Sequence, residues 1–431
     1  MSGGANASGH AIRGNDWTVL DGLRPEVPPL VSVIVPYFEQ PAELARTLHA
    51  LGRQTYPQDR IQIIVVDDGS AVAPVVPDDV VLIRQPDEGF RLAAARNRGA
   101  AAARGDVLCF LDADCAPEPG YIEELTRLPA LVSDVVTVGR RRHAALDRLP
   151  FDADISAVPD ELVFDDPAWL ANAYRRSEDL RRADARSYRY LIGAVLACHR
   201  SFWDEVGGFD EDFRRYGGED WEWAWRCWAA GAVLAHVPAA VAWHDGPDAA
   251  ARDRDPAAVN DETRRLEPFI PVPGSRPHAL AVGAPDTTVT LGGAVTPTHV
   301  IIGADSMLRR LPTAHVYGGD AAESVARTDP RVRAGVPAVE AHYRIRAHAP
   351  VRVDAQAPLR ELLDQVGVEC GAIEVHDEDG VLLTLSSSRV VARRERWSSD
   401  VFEDRIVPAV GIARRLTAAE PSLAAYYGDW D

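Results

Sequence analysis

Asp112-Ala113-Asp114 sets two carboxylates one residue apart, directly after the apolar run DVLCFL (106–111). Both can face one divalent cation, and their hard oxygens suit Mg²⁺ or Mn²⁺, an ion that neutralises a nucleotide's diphosphate. A solvated acidic turn is the alternative. Glu219-Asp220 follows Gly217-Gly218 and opens a Trp-rich segment. The glycines let backbone approach a substrate closely, whereas acids at a helix start can also act as a plain cap. His244, in Trp243-His244-Asp245-Gly246, offers either a packed imidazole or a third ligand for Mn²⁺ beside the two carboxylates. Arg91 and Arg96 can meet a diphosphate or the Asp pair, while Arg98 reads equally as solvated helix face. Trp221, Trp225 and Trp228 fall on one helical face and read as core. Trp223 falls elsewhere and is the candidate for stacking on a sugar.

The elements that must position these groups are legible as runs. VSVIV (31–35), IQIIVV (61–66), VVLIR (80–84) and DVLCFL (106–111) are short, apolar and β-branched, as buried strands are. PAELARTLHALGRQ from Pro41 and GFRLAAARNRGAAAARG (89–105) carry helical spacing, the first with Pro in its tolerated first turn. Strand, helix, strand, strand, helix, strand implies an α/β fold with a largely parallel sheet. Ligands of such sheets sit at the strands' carboxyl ends, where this chain puts Tyr37 and Glu39, Asp67 and Asp68, and Asp112 and Asp114.

Further on, a helix is expected around 167–183, a strand over YLIGAVLACHR (190–200), a short helix at SFWDEVGGF, a Trp-rich helix after Gly218, and one or two strands in 233–246. Residues 1–29 read as a flexible lead-in, 30–250 as the main domain, 251–285 as a linker and 286–431 as a smaller C-terminal α/β or α+β domain. In that last region TVTLGGAV, HVIIGA, AHVYGG and the stretch Val368 to Val391 are expected strands, and PLRELLDQV (358–366) a helix. Asp377-Glu378-Asp379-Gly380 has hairpin-turn chemistry. The region reads as an acceptor-binding module, a unit for homodimer formation, or a decayed copy of the first domain.

Composition narrows the classes. Of 431 residues, 46% are hydrophobic and 26% charged, which suits a packed globular chain. The formal charge is −19, so nucleic acid and anionic lipid are disfavoured partners. All 46 basic residues are Arg, which excludes lysine Schiff-base and P-loop lysine chemistry. Five Cys without a CxxC pair argue against a disulfide framework or zinc site. No signal-peptide h-region or ~20-residue apolar span is present, and the expected location is cytoplasmic, free or peripheral to a membrane.

Taken in order, VSVIVPYFEQ, IIVVDDGS, GFRLAAARNRGA, DVLCFLDADC, GGFDEDFRRYGGEDWEWAWRCWAAG and AWHDG resemble the inverting family-two glycosyltransferases of the GT-A fold. The branch suggested is that of chondroitin polymerase and the β-1,4-galactosyltransferase type. The resemblance covers about residues 30–246. It implies that Pro36, Tyr37 and Glu39 border the base and ribose and that Asp68, ahead of Asp67, bonds the base. It further implies that Asp112 contacts ribose or metal and that Asp114 and His244 ligate the metal. Asp220 matches the general base, and Glu219 helps hold the acceptor. The implied partners are a nucleotide-sugar donor, with UDP the family-weighted choice, and a carbohydrate or glycoside acceptor. The stretch 140–190 matches no motif. A nucleotidyltransferase is disfavoured because PYFEQP replaces the Gly-rich basic loop. A silent sugar-nucleotide-binding protein would have lost one of the acids or the His, and none is missing.

Overall fold

The computed structural model describes residues 9, 11–248, 255–280, 283–293, 295–338, 341–397 and 401–428. The chain divides into two compact units, Met1–Trp228 with Ala232–Glu262, and Ala229–Gly231 with Thr263–Asp431.

In the first unit the chain runs β1 (Val31–Tyr37), α1 (Pro41–Leu51), β2 (Ile61–Asp67), β3 (Val81–Arg84), α2 (Leu92–Ala102), β4 (Val107–Leu111) and β5 (Cys115–Pro117). It continues through α3 (Tyr121–Leu131), β6 (Val135–Ala144), β7 (Val163–Phe164), α4 (Ala168–Ser177), β8 (Val195–His199), α5 (Arg200–Val206), α6 (Glu219–Ala229) and β9 (Val233–Asp245), and the division between the units falls within α7 (Pro256–Leu266). The sheet order is β3-β2-β1-β4-β8-β6-β9-β5, with β7 on β6. β1 to β4 are mutually parallel, β8 is antiparallel to β4 and β6, and β6 and β9 are again parallel. All residues of β1 and β4 are buried, which is why, apart from Ser32, whose hydroxyl donates to Gln62, they are apolar rather than alternating. Gly99 lets α2 press onto β1, because a Cβ there would lie 2.3 Å from Ile34 Cγ2.

Several expectations change. Of the lead-in, residues 1–8 and 10 lie outside the described residues, but 11–29 is not loose. Ile12, Asn15 and Leu20 are buried, and Asn15 Nδ2 donates to the carbonyls of Leu180 (2.7 Å) and Leu234 (2.8 Å). The expected linker contains α7, although its residues 251–254 lie outside the description. The helix expected to 183 ends at Ser177, where Glu178, Asp179 and Leu180 turn left-handed. The strand expected from 190 starts only at Val195, because Ser187–Tyr190 forms a 3-10 turn.

The second unit runs β10 (Thr287–Thr290), α8 (Pro297–Arg310), β11 (His315–Tyr317), α9 (Glu323–Ala326), β12 (Val332–Arg333), β13 (Tyr343–Ala347), β14 (Val351–Val353) and α10 (Leu359–Leu363). After these come β15 (Ile373–Asp377), β16 (Gly380–Ser387), α11 (Ser388–Trp397), β17 (Arg405–Pro408) and β18 (Ala413–Arg415). HVIIGA is helical, not a strand. Thr296 and His299 form a capping box with Pro297 behind it, and that start signal outweighs the apolar run. Asp377 pairs with Gly380 across the expected hairpin turn.

The two units share a sheet plan. The order β12-β11-β10-β13-β16-β15-β17 reproduces β3-β2-β1-β4-β8-β6-β9 in chain order. Its polarity matches too: the first four strands are parallel, the next two junctions antiparallel, and β15 and β17 parallel. Even β14, set three residues after β13, pairs antiparallel with β18, as β5 pairs with the last part of β9.

Candidate active site

Because β1, β2, β3 and β4 are parallel, their carboxyl ends open on one rim. There a cleft of about 550 Å³ is lined by Pro36, Tyr37, Asp68, Asp112, Asp114 and Tyr216, among others. The adjacent Asp67 and Asp68 behave differently. Asp67 is fully buried, taking Arg84 Nε (2.7 Å) and the Ser70 amide (2.9 Å). Asp68 faces the cleft, its carboxylate receiving Gln85 Nε2 and the Arg91 amide. Burial raises the Asp68 carboxyl above its ordinary range, against those two bonds.

Two of the expected nucleotide contacts are otherwise engaged. Glu39, with a left-handed backbone (φ 52°), accepts the Ala71 amide at 2.6 Å while its own amide donates to Ser70 Oγ. It therefore clasps the turn after β2. The Arg91 guanidinium pairs with Glu88 and lies 3.9 Å from Glu211, so Arg91 bears on the cleft through its amide to Asp68. A larger correction concerns Trp223. Its side chain is 0% exposed, packs against Trp203 and Phe209 at 5.3 and 5.5 Å, and donates Nε1–H to the Gly207 carbonyl. It cannot stack on a sugar. Aromatic surface at the cleft comes instead from Phe38, Phe90 and Tyr216, all exposed, with Phe90 and Tyr216 edge to face at 6.3 Å.

Arg96, on α2, is 2% exposed and donates to Asp112 Oδ1 (2.8 Å) and Glu219 Oε1 (2.9 Å). Gly193 makes room for it, since a Cβ there would meet Arg96 Nη1 at 2.8 Å. The Gly193 amide donates to Asp220 Oδ2 (3.0 Å), and the Trp221 amide donates to Oδ1 (2.8 Å). Arg96 thus ties Asp112 to Glu219, the first residue of α6, while the next residue, Asp220, is held by the amides of Gly193 and Trp221. Burial and the neighbouring Asp220 charge push the Glu219 carboxyl above its ordinary range despite Arg96. Burial, helped by Asp112, likewise raises Asp220 against its amide donors and Arg96. Glu219 Oε2 is buried without a hydrogen-bond partner among the described residues.

Asp114 and His244 meet across β5 and β9, where Cys115 is registered with His244. His244 Nε2 lies 3.5 Å from Asp114 Oδ2. Burial acts to raise Asp114, but the bond and charge of His244 outweigh it and hold the carboxyl low. Burial opposes charge on His244, and Asp114 more than compensates, raising the imidazole. Among the described residues no three His, Cys, Asp or Glu side chains converge to hold a metal. One imidazole nitrogen and one carboxylate do converge, a donor pair whose chemistry fits Mn²⁺ or Mg²⁺ when phosphate oxygens supply further ligands. Asp112, turned to Arg96, stands apart from that pair.

Sequence reasoning missed His143. It is fully buried beside His244, Nδ1 to Nδ1 at 3.2 Å, with both nitrogens facing the Gly246 carbonyl. Only the parallel register of β6 on β9, which aligns residue 143 with 244, brings them together.

In the second unit the three-residue link between β13 and β14 is His348-Ala349-Pro350, in the place of Asp112-Ala113-Asp114. Arg415, registered with Val351, stands in the place of His244, and it is bound by Asp377 at 2.9 Å. No helix among the described residues is long and apolar enough to cross a membrane.

Residues 32–185 match the family model described as Glycosyl transferase family 2, and residues 182–243 match the N-terminal domain of galactosyltransferase. Chondroitin synthase of Escherichia coli is 28% identical over 271 residues, covering 58% of this chain and 38% of that protein. Validoxylamine A glucosyltransferase of Streptomyces hygroscopicus subsp. limoneus is 33% identical over 225 residues, covering 47% and 49%. The chain therefore spans less than half the length of either. Among solved structures, GalNAc-T7 with UDP, GalNAc and Mn²⁺ is 21% identical with a TM-score of 0.42, covering 57% of this chain and 51% of that one. Residues 32–185 thus carry a domain similar to glycosyl transferase family 2.

Proposed function

We propose that the first unit transfers a sugar from a nucleoside-diphosphate sugar, UDP-linked by preference, to a hydroxyl of a carbohydrate or glycoside acceptor, with inversion at the anomeric carbon. The observation that supports this reading is that Asp68, Asp112 and Asp114 line one cleft, with His244 on Asp114 and with Arg96 joining Asp112 to Glu219, the neighbour of Asp220. Asp68 receives the base, with Pro36 and Tyr37 beside it. Asp114 and His244 hold the divalent ion, which when bound supplies positive charge against the departing diphosphate. Asp220, its two oxygens oriented by the amides of Gly193 and Trp221, takes the proton of the attacking hydroxyl. Its raised affinity for protons brings it closer to the operating pH, as a general base requires. Glu219, with one oxygen on Arg96 and the other unpartnered, bonds a second acceptor hydroxyl.

The test is a thermal-shift screen of nucleotide sugars with and without Mn²⁺, followed by donor-hydrolysis assays on the wild type and Asp114→Ala. Stabilisation by one donor, dependent on Mn²⁺ and lost in Asp114→Ala, is the expected result. Binding without hydrolysis or transfer to any acceptor would assign the unit as a sugar-nucleotide-binding module instead.

A further inference from the structure

The most strained backbone in the first unit lies away from the donor cleft. Glu178, Asp179 and Leu180 are consecutive non-glycine residues with φ of 53°, 54° and 68°. Such residues are strained and persist where their surroundings over-determine them. Here Asn15 Nδ2 holds the Leu180 carbonyl, while Trp17 Nε1 and the His236 amide hold that of Asp179.

The strained turn aims one carboxylate. Asp179 Oδ1 sits 2.7 Å from His236 Nδ1, and the imidazole stacks flat on Tyr174 at 3.5 Å and 2°. The carboxylate on Nδ1 orients the ring and leaves Nε2 on its opposite side, an acceptor in the neutral imidazole. His236 is 5% exposed, and its Nε2 has no partner among the described residues. His236 also lines a separate cleft of about 340 Å³, together with Arg140, Arg141, Asp166 and Tyr174. A buried acceptor left unbonded is penalised, and a donor reaching it from the cleft removes that penalty. A chain of contacts leads from it to the reaction centre: Arg141 to Asp248 (2.9 Å), Asp248 to His143 (4.0 Å), His143 to His244 (3.2 Å) and His244 to Asp114 (3.5 Å).

Resting on the transferase reading above, we infer that this cleft is the subsite for a sugar unit of the acceptor beyond the one attacked. Arg140 is paired with Asp166 (2.6 Å) and Arg141 with Asp248 (2.9 Å), and the N–H groups and carboxylate oxygen left over by these pairs, with His236, supply the donors and acceptors that a pyranose ring's hydroxyls need. Its aromatic and aliphatic wall, Tyr174 and Leu170, suits the ring's apolar face.

The test uses the full chain, with free glucose, galactose, N-acetylglucosamine and glucuronate titrated separately. Saturation-transfer NMR and the His236 Cε1–H resonance are the readouts. At least one sugar should bind and shift that resonance, and its affinity should fall about tenfold in His236→Gln. Arg140→Ala, at the exposed rim, should weaken the same sugar and covers the case in which His236→Gln fails to fold. If no sugar moves the His236 resonance, or if both variants bind as the wild type does, the subsite is wrong. UDP with Mn²⁺ on the same samples separates the claims. Nucleotide binding without sugar at His236 overturns the subsite alone, whereas absent nucleotide binding overturns the donor reading.

Discussion

Arg96 and Glu219 lie 123 positions apart in the chain and meet at 2.9 Å, one guanidinium nitrogen against one carboxylate oxygen, both nearly sealed from solvent. The same guanidinium holds Asp112, so α2 is stitched to the end of β4 and to the start of α6 through one side chain. Removing one partner of a buried pair leaves an uncompensated charge and costs roughly 3–5 kcal/mol. Arg96→Met should lose about that much in urea unfolding. The double variant Arg96→Met with Glu219→Met should recover part of the loss. A single variant as stable as the wild type would show that the pair is not what joins these elements.

Asp220→Asn keeps the side chain's shape and one of the two amide contacts, turns an NH2 against the other amide, and removes the carboxylate proposed as the base. Turnover should fall by about 10²–10⁴-fold, with nucleotide affinity by calorimetry nearly unchanged. Wild-type turnover in this variant would remove Asp220 from its assigned role.

The second unit repeats the sheet plan with His348-Ala349-Pro350 and Arg415 in place of the acids and the imidazole. Calorimetry with UDP and Mn²⁺ should therefore count one nucleotide per chain, and Asp114→Ala should abolish it. A second equivalent of nucleotide, retained in Asp114→Ala, would put a working site in the second unit.

Acid sensitivity should arise in the second unit as well. Burial, reinforced by Arg389 and Arg360, pushes the His342 imidazole down to about 3 from 6.5. Between those values the unfolded chain binds the extra proton, so stability is complete above about pH 6.5 and drains as pH falls towards 3. The difference is on the order of 5 kcal/mol. Melting temperatures measured from pH 7 to pH 4 should fall less steeply in His342→Asn than in the wild type. Parallel acid limbs would assign the loss to other groups.

The first unit was legible where one segment carries its own signal. β1, β2 and β4 are mostly apolar runs, interrupted only by Ser32 and Gln62, and the acids stand at or just past their ends, so strand and rim are legible together. What stayed hidden depends on distant partners. Trp223 departs from the face of the other tryptophans, yet Trp203 and Phe209 close over it, and no spacing within α6 announces them. Glu39 sits beside the expected base pocket, but the Ala71 amide captures its carboxylate. His143 and His236 acquire meaning only from strand register and from a left-handed turn. In the second unit HVIIGA was misread because a short apolar run does not separate a buried strand from a buried helix; Thr296-Pro297 was the better clue.

The twin sheets show that this architecture survives the exchange of its reactive link. Nothing in the pairing of β13, β16 and β10 calls for an acid at residues 348–350, and by the same token nothing in the pairing of β4, β8 and β1 calls for one at 112–114. Persistence of the scaffold and possession of chemistry are therefore separately mutable, and a lineage could silence one half of such a chain by three substitutions without loosening a strand.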